Sequence, residues 1–119
     1  MFRAITETDK TYGKTQLRIL MTQGDSCTIR STPKTSTGET IPAVDIEKCI
    51  FKISDLDNVE ELRQELSVED GSYVCRLASA DTYNLEVGKH YYEFEYTLVG
   101  GEVHTPNRWI FEITDQIIE

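Results

Sequence analysis

The chain is short of cysteine, of positive charge and of long apolar runs, and each shortage removes a class of protein. It has 3 cysteines in 119 residues. Cys27, Cys49 and Cys75 are too widely spaced for a zinc motif, and an odd number of thiols makes a poor disulfide framework. Basic residues number 12 against 21 acidic ones, a net charge of -9. Lys and Arg stand singly, so no basic track exists to neutralise a polyanion, which excludes nucleic acid and anionic membrane as partners. No window approaches a membrane span, and residues Met1 to Asp9 lack the apolar core of a signal peptide, so the chain is expected to be made in the cytoplasm. Asn58, Asn84 and Asn107 are followed two places later by Glu, Glu and Trp, which leaves no glycosylation acceptor.

Motifs that would carry chemistry are also missing. Gly24-Asp25-Ser26 and Gly100-Gly101 are turn glycines with no Lys-Ser or Lys-Thr pair after them, so no phosphate-cradling loop is read. Asp55-Leu56-Asp57-Asn58-Val59-Glu60 starts like a calcium loop, but its sixth place is Glu60 where the turn needs Gly, and its twelfth is Leu66 where the cation needs a bidentate Glu. His90 and His104 have no Ser, Cys or Asp partner at a motif spacing and are read as surface or rim residues. The cysteines share the inward parity of their strands and are read as small buried hydrophobes. No catalytic residue, cofactor or metal ligand is therefore expected, and the chain is read as non-enzymatic.

What the sequence does have is alternation. Tyr92, Phe94, Tyr96 and Leu98 fall on one side of a strand and Tyr91, Glu93, Glu95 and Thr97 on the other, the period-2 pattern of a half-buried strand. Leu17, Ile19 and Met21 alternate before Gln23-Gly24-Asp25, and Cys27 and Ile29 after it, which predicts a β-hairpin. Cys49, Phe51 and Ile53, then Tyr73, Cys75 and Leu77, then Trp109, Phe111 and Ile113 repeat the pattern. These 18 candidate core residues, at about 1.5 to 3 kcal/mol per fully buried large side chain, suffice without a staple. Met1 to Ile5 is read as a short strand and Thr8 to Lys14 as a loop. Pro33 to Pro42, rich in Thr, Ser and Gly, is read as a long exposed loop.

One segment supports two readings. Leu56, Val59, Leu62 and Leu66 have helical spacing with an acidic first turn. With period 2, Leu62, Leu66 and Val68 instead share a side, and Asp70-Gly71 then forms a hairpin turn to Tyr73. The second reading favours a strand over about 61–68. Ser79 to Asn84 has room for one helical turn. Leu85, Gly88 and Tyr91, with Tyr92 beside it, have the spacing of a corner between sheets, where a tyrosine hydroxyl bonds back to upstream backbone. The expected architecture is one all-β domain over 1–119, a two-sheet antiparallel sandwich, Ig-like or jelly-roll-like, with seven or eight strands and little helix.

Gly24-Asp25-Ser26, the Thr/Gly/Pro-rich loop, Phe51-Lys52-Ile53, Glu69-Asp70-Gly71, Asp81-Thr82, Leu85-x-x-Gly88-x-x-Tyr91-Tyr92-Glu93 and Trp109-Ile110-Phe111-Glu112-Ile113 together resemble a family of phage structural domains. The pattern is similar to the N-terminal β-sandwich of upper baseplate proteins and related tail or head-fibre attachment modules. It departs from that family in the segment Asp55 to Glu65, which is longer and more acidic. The resemblance implies a phage or prophage structural protein in a virion. Its partners would be other virion proteins, or further copies of itself in a ring or trimer. The candidate contact surface is the loop Pro33 to Val44, with Pro42 and Val44, and the outward-facing Leu20, Ile50 and Ile110. A different reading is a small carbohydrate-binding module using the tyrosines Tyr12, Tyr83 and Tyr91. An enzyme whose site assembles only in three dimensions is a third.

Overall fold

The alternation seen around Tyr92 belongs to the longest strand of the molecule, and the chain is wound about it. The computed structural model describes residues 3–8, 11–12, 18–106 and 108–115. Among them are ten strands: β1 (Arg3–Thr8), β2 (Thr11–Tyr12), β3 (Arg18–Thr22), β4 (Cys27–Lys34), β5 (Ile46–Ser54), β6 (Glu60–Glu69), β7 (Ser72–Leu77), β8 (Gly88–Leu98), β9 (Val103–His104) and β10 (Arg108–Thr114). Among the described residues helix is confined to α1 (Ser79–Tyr83) and one 3-10 turn at Ala43–Asp45. The fold is all-β, as expected.

The strands follow one path, β1-β4-β7-β6-β5-β8-β10-β3-β2, with β9 added beside β8. β6 is where the path turns: Glu60 to Leu66 pair with β5, and Ser67 to Glu69 pair with β7. Changing partner in mid-strand curls the sheet around a single core. Residues from β3, β4, β5, β7, β8 and β10 meet there, including Ile19, Ile29, Cys49, Phe51, Tyr73, Tyr92, Phe94, Tyr96 and Phe111. The rings pack edge-on and offset, as their quadrupoles favour: Phe51 and Phe94 centroids are 5.2 Å apart, and Tyr92 and Phe111 6.2 Å. Tyr96 brings its hydroxyl into this interior and donates it to the buried Ser31 Oγ, which satisfies both groups. Trp109 and Leu98 are half-buried against the cluster, and Leu17 lies outside the described residues.

Several local expectations hold. The segment 60–69 is a strand, and Asp70 and Gly71 both have positive φ, 51° and 82°, as a two-residue type I′ turn requires. The leading residues fail as a helix because Asp55 caps a turn instead: its Oδ1 accepts the backbone N–H of Asp57 and of Val59, both at 2.9 Å.

Others are corrected. The predicted hairpin of β3 and β4 does not form: β3 pairs with β2 and, in parallel, with β10, whereas β4 pairs with β1 and β7. The turn between them is held by α1 and not by a ladder. Ser79 Oγ donates to Gly24 O and Thr82 Oγ1 to Asp25 O (2.6 Å), while the Gln23 amide donates to Leu85 O (2.8 Å) and Tyr83 O (3.2 Å). An entirely antiparallel sheet is thereby also corrected. Within the expected loop Thr8 to Lys14, Thr11–Tyr12 form β2, and Asp9, Lys10, Gly13 and Lys14 lie outside the described residues. The proline-rich loop begins later than expected, because Pro33 is a buried residue of β4. Proline fits there because the β4–β7 pairing ends at Ser31, so no ladder needs its missing N–H on that side.

Candidate functional site

At the segment read as a corner, Gly88 opens β8 and a histidine holds the neighbouring backbone. Gly88 has φ of 130°, and a Cβ there would meet nothing within 4 Å, so the need for glycine is one of backbone conformation and not of space. Leu85 and Tyr92 are buried in the core, while Tyr91 faces outward with the Arg108 guanidinium 4.1 Å above its ring. His90, expected at the surface, is instead 4% exposed. Its Nδ1 lies 2.5 Å from Glu61 Oε1 and its Nε2 2.7 Å from Glu86 O. With both ring nitrogens committed, His90 clamps the start of β6 and the corner to β8 and offers no free base. The signal was available: His90 shares the inward parity of Tyr92 and Phe94. His104 Nε2 is 2.8 Å from Glu102 Oε1 on the half-exposed β9.

The cysteines are buried thiols, none in a disulfide. Burial is the main cause that pushes Cys49 up to about 12, and the negative charge of Glu95 adds to it. Burial likewise raises Cys75, whose Sγ donates to Gln64 Oε1 at 3.0 Å. A raised pKa and no solvent access make poor nucleophiles. A thiol reagent is therefore expected to find few sulfhydryls in the native protein and three after denaturation. A count of one after denaturation would reveal a disulfide.

The candidate contact residues divide. Pro42 is exposed and Val44 is 81% exposed on the 3-10 turn. Leu20 and Ile110 are half-buried on the outer face of β3 and β10. Ile50, expected outward and exposed, is buried. It does face away from the core, but it sits opposite Glu65 on β6 and Glu95 on β8, and the Lys52–Glu95 ion pair (2.9 Å) adjoins it. In a central strand, the stems of such long neighbours cover an apolar side chain.

Two clefts among the described residues bear on a site. One is polar, lined by Lys52, Ser54, Asn58, Glu60, Glu93 and Arg108, with Arg108 bonded to Asn58 Oδ1. The tyrosines expected to bind sugar do not line it: Tyr91 lies under Arg108, Tyr83 is exposed at the end of α1, and the Tyr12 side chain is outside the described residues. The other cleft opens where β5 and β6 part. Their ladder ends at Cys49 opposite Leu66; beyond it β5 pairs only with β8, and β6 only with β7. Its lining includes Ala43, Ile46, Glu47, Glu65, Val68 and Tyr73. Val68 in the lining is exposed, as is Val44, next to the lining residue Ala43, and the Val99 N–H bonds Asp45 O (3.0 Å). Sequence reasoning found Val44 and missed the rest, since nothing local marks a strand that changes partner.

No family model matches the chain, and no curated protein does. Among solved structures it is similar to the crystal structure of CopC from Methylosinus trichosporium OB3b, at 8% sequence identity and a TM-score of 0.54, covering 100% of this chain and 99% of that one. At that identity the likeness bears on the all-β fold. No helix among the described residues is long and apolar enough to cross a membrane.

Proposed function

We propose that this chain is a non-enzymatic assembly module, a phage or prophage baseplate, tail or head-fibre adaptor that acts by protein–protein contact in the virion. The observation that supports it best is the β5–β6 cleft itself, with Ile46, Leu66 and Tyr73 buried in its wall, Val68 exposed in its lining and the exposed Val44 next to the lining residue Ala43. Exposed valines beside such a cleft are side chains that a partner would cover. The phage-like turn and corner pattern supplies the setting, as a fold-level analogy. In this reading the curled sheet works as a two-layer sandwich, with β6 contributing to both layers.

At a net charge of -9, copies repel one another, so contact through apolar residues strengthens as salt screens the charge. Sedimentation is expected to show self-association that grows with salt and weakens in Val44→Glu, and association with the product of an adjacent structural gene. A monomer under every condition that is instead retained by a polysaccharide column would transfer the protein to the carbohydrate-binding class.

A further inference from the structure

The β5–β6 cleft has a backbone edge as well as an apolar floor. In a two-residue hairpin the residues flanking the turn exchange both backbone bonds, here Glu69 and Ser72. By alternation the neighbouring Val68 turns its N–H and C=O away from β7, toward the side where β5 has left. On that side β5 slips register between Ile46 and Lys48, which puts an extra residue, Glu47, into the strand as a bulge. Val68 therefore has no ladder partner across the cleft among the described residues, while its side chain is 40% exposed. Ile46, Leu66 and Tyr73 are buried along the cleft wall. Around the opening stand Glu47 and Glu65 against Lys48, and none of the three is in an ion pair among the described residues.

We propose that this cleft accepts an extended strand from a partner protein, added to the edge at Val68, with alternate apolar side chains on the cleft floor and Lys or Arg between them over Glu47 and Glu65. The proposal rests on the assembly reading and names its site and the chemistry of the partner. Strand addition draws affinity from main-chain bonds and specificity from alternate side chains. A second copy of this chain is a poor occupant, because it brings the same acidic excess to the same rim and its own Lys and Arg stand singly.

The probe is a synthetic peptide alternating Val and Lys, compared by amide NMR with a Val/Glu counterpart and with a version interrupted by Pro. The Val/Lys peptide is expected to shift the amides of Ser67, Val68 and Glu69, to slow exchange of the Val68 N–H, and to bind roughly tenfold more tightly than the Val/Glu peptide. Interruption by Pro should abolish binding, and Val68→Lys, an exposed change that leaves the core alone, should weaken it. Equal binding of both charges, or shifts confined to β1, β2 or β9, would overturn the proposal. Salt-strengthened assembly that is indifferent to the peptide and to Val68→Lys overturns the cleft alone. Peptide binding at Val68 in a chain that never assembles supports the cleft and overturns the virion reading.

Discussion

Phe51→Ala is expected to cost about 3 to 5 kcal/mol of stability, which would show as a large drop in the urea midpoint with little change in slope. The ring is fully buried, 5.2 Å from Phe94 and 6.0 Å from Tyr92 between centroids. Its strand is hydrogen-bonded to β6 on one side and β8 on the other, so the backbone has little freedom to close the void. Part of the cost is the transfer of the ring to water and part is the cavity left behind. A domain of this size holds roughly 5 to 15 kcal/mol in all, so the variant should be largely unfolded near its working temperature. Phe94→Ala, buried in the same cluster, should behave alike, whereas Val44→Ala should stay within about 0.5 kcal/mol of the parent. A Phe51 variant of near-parental stability would mean that the aromatic cluster is not the core.

That core was legible because alternation reports which face of a strand is buried, and in β5, β7, β8 and β10 one face is. The strand at 60–69 was legible from its second half, where Leu62 and Leu66 meet Ile53 and Cys49. The residues before it, Leu56 and Val59, also allowed the less favoured helical spacing, and the Asp55 turn, which leaves both exposed, settles it. Parity names a face but not what covers it, which is why Ile50 was misplaced. Pairing was the least legible layer. Nothing in Leu20 or Ile29 says that β3 will join β10 in parallel and β4 will join β7, because that choice is made by residues far along the chain, among them Ser79 and Thr82 gripping the Gly24–Asp25 turn. The cleft was illegible for the same reason, since it exists only because β6 leaves one partner for another.

Raising the pH is expected to unfold the domain progressively from about pH 9 upward. Four groups share the cause. Burial, partly offset by a bond to Tyr96 and reinforced by Glu95, pushes Cys49 from 9.0 up to about 12. Burial raises Cys75 further, with Cys27, Asp81 and Cys49 adding to it. Tyr92 and Tyr96 are raised well above 10.0, again chiefly by burial. Each group is neutral while protonated, so the folded chain keeps its proton to a higher pH than the unfolded chain does. The stability each contributes is whole below the unfolded value and drains away as pH climbs toward the folded one. For Cys49 that window runs from 9.0 to about 12, and across it the loss is on the order of 4 kcal/mol. Cys75 draws on a window that opens at the same pH, so a domain of ordinary stability should not survive the whole interval. Urea midpoints measured at about pH 7 and about pH 10.5 should fall steeply between the two. Cys49→Ala should flatten that fall while adding a packing cost that is the same at both values, which separates ionisation from cavity formation. Midpoints that coincide at the two values would mean that the thiols and phenols ionise freely in the folded protein, and would contradict the burial on which the single-core fold depends.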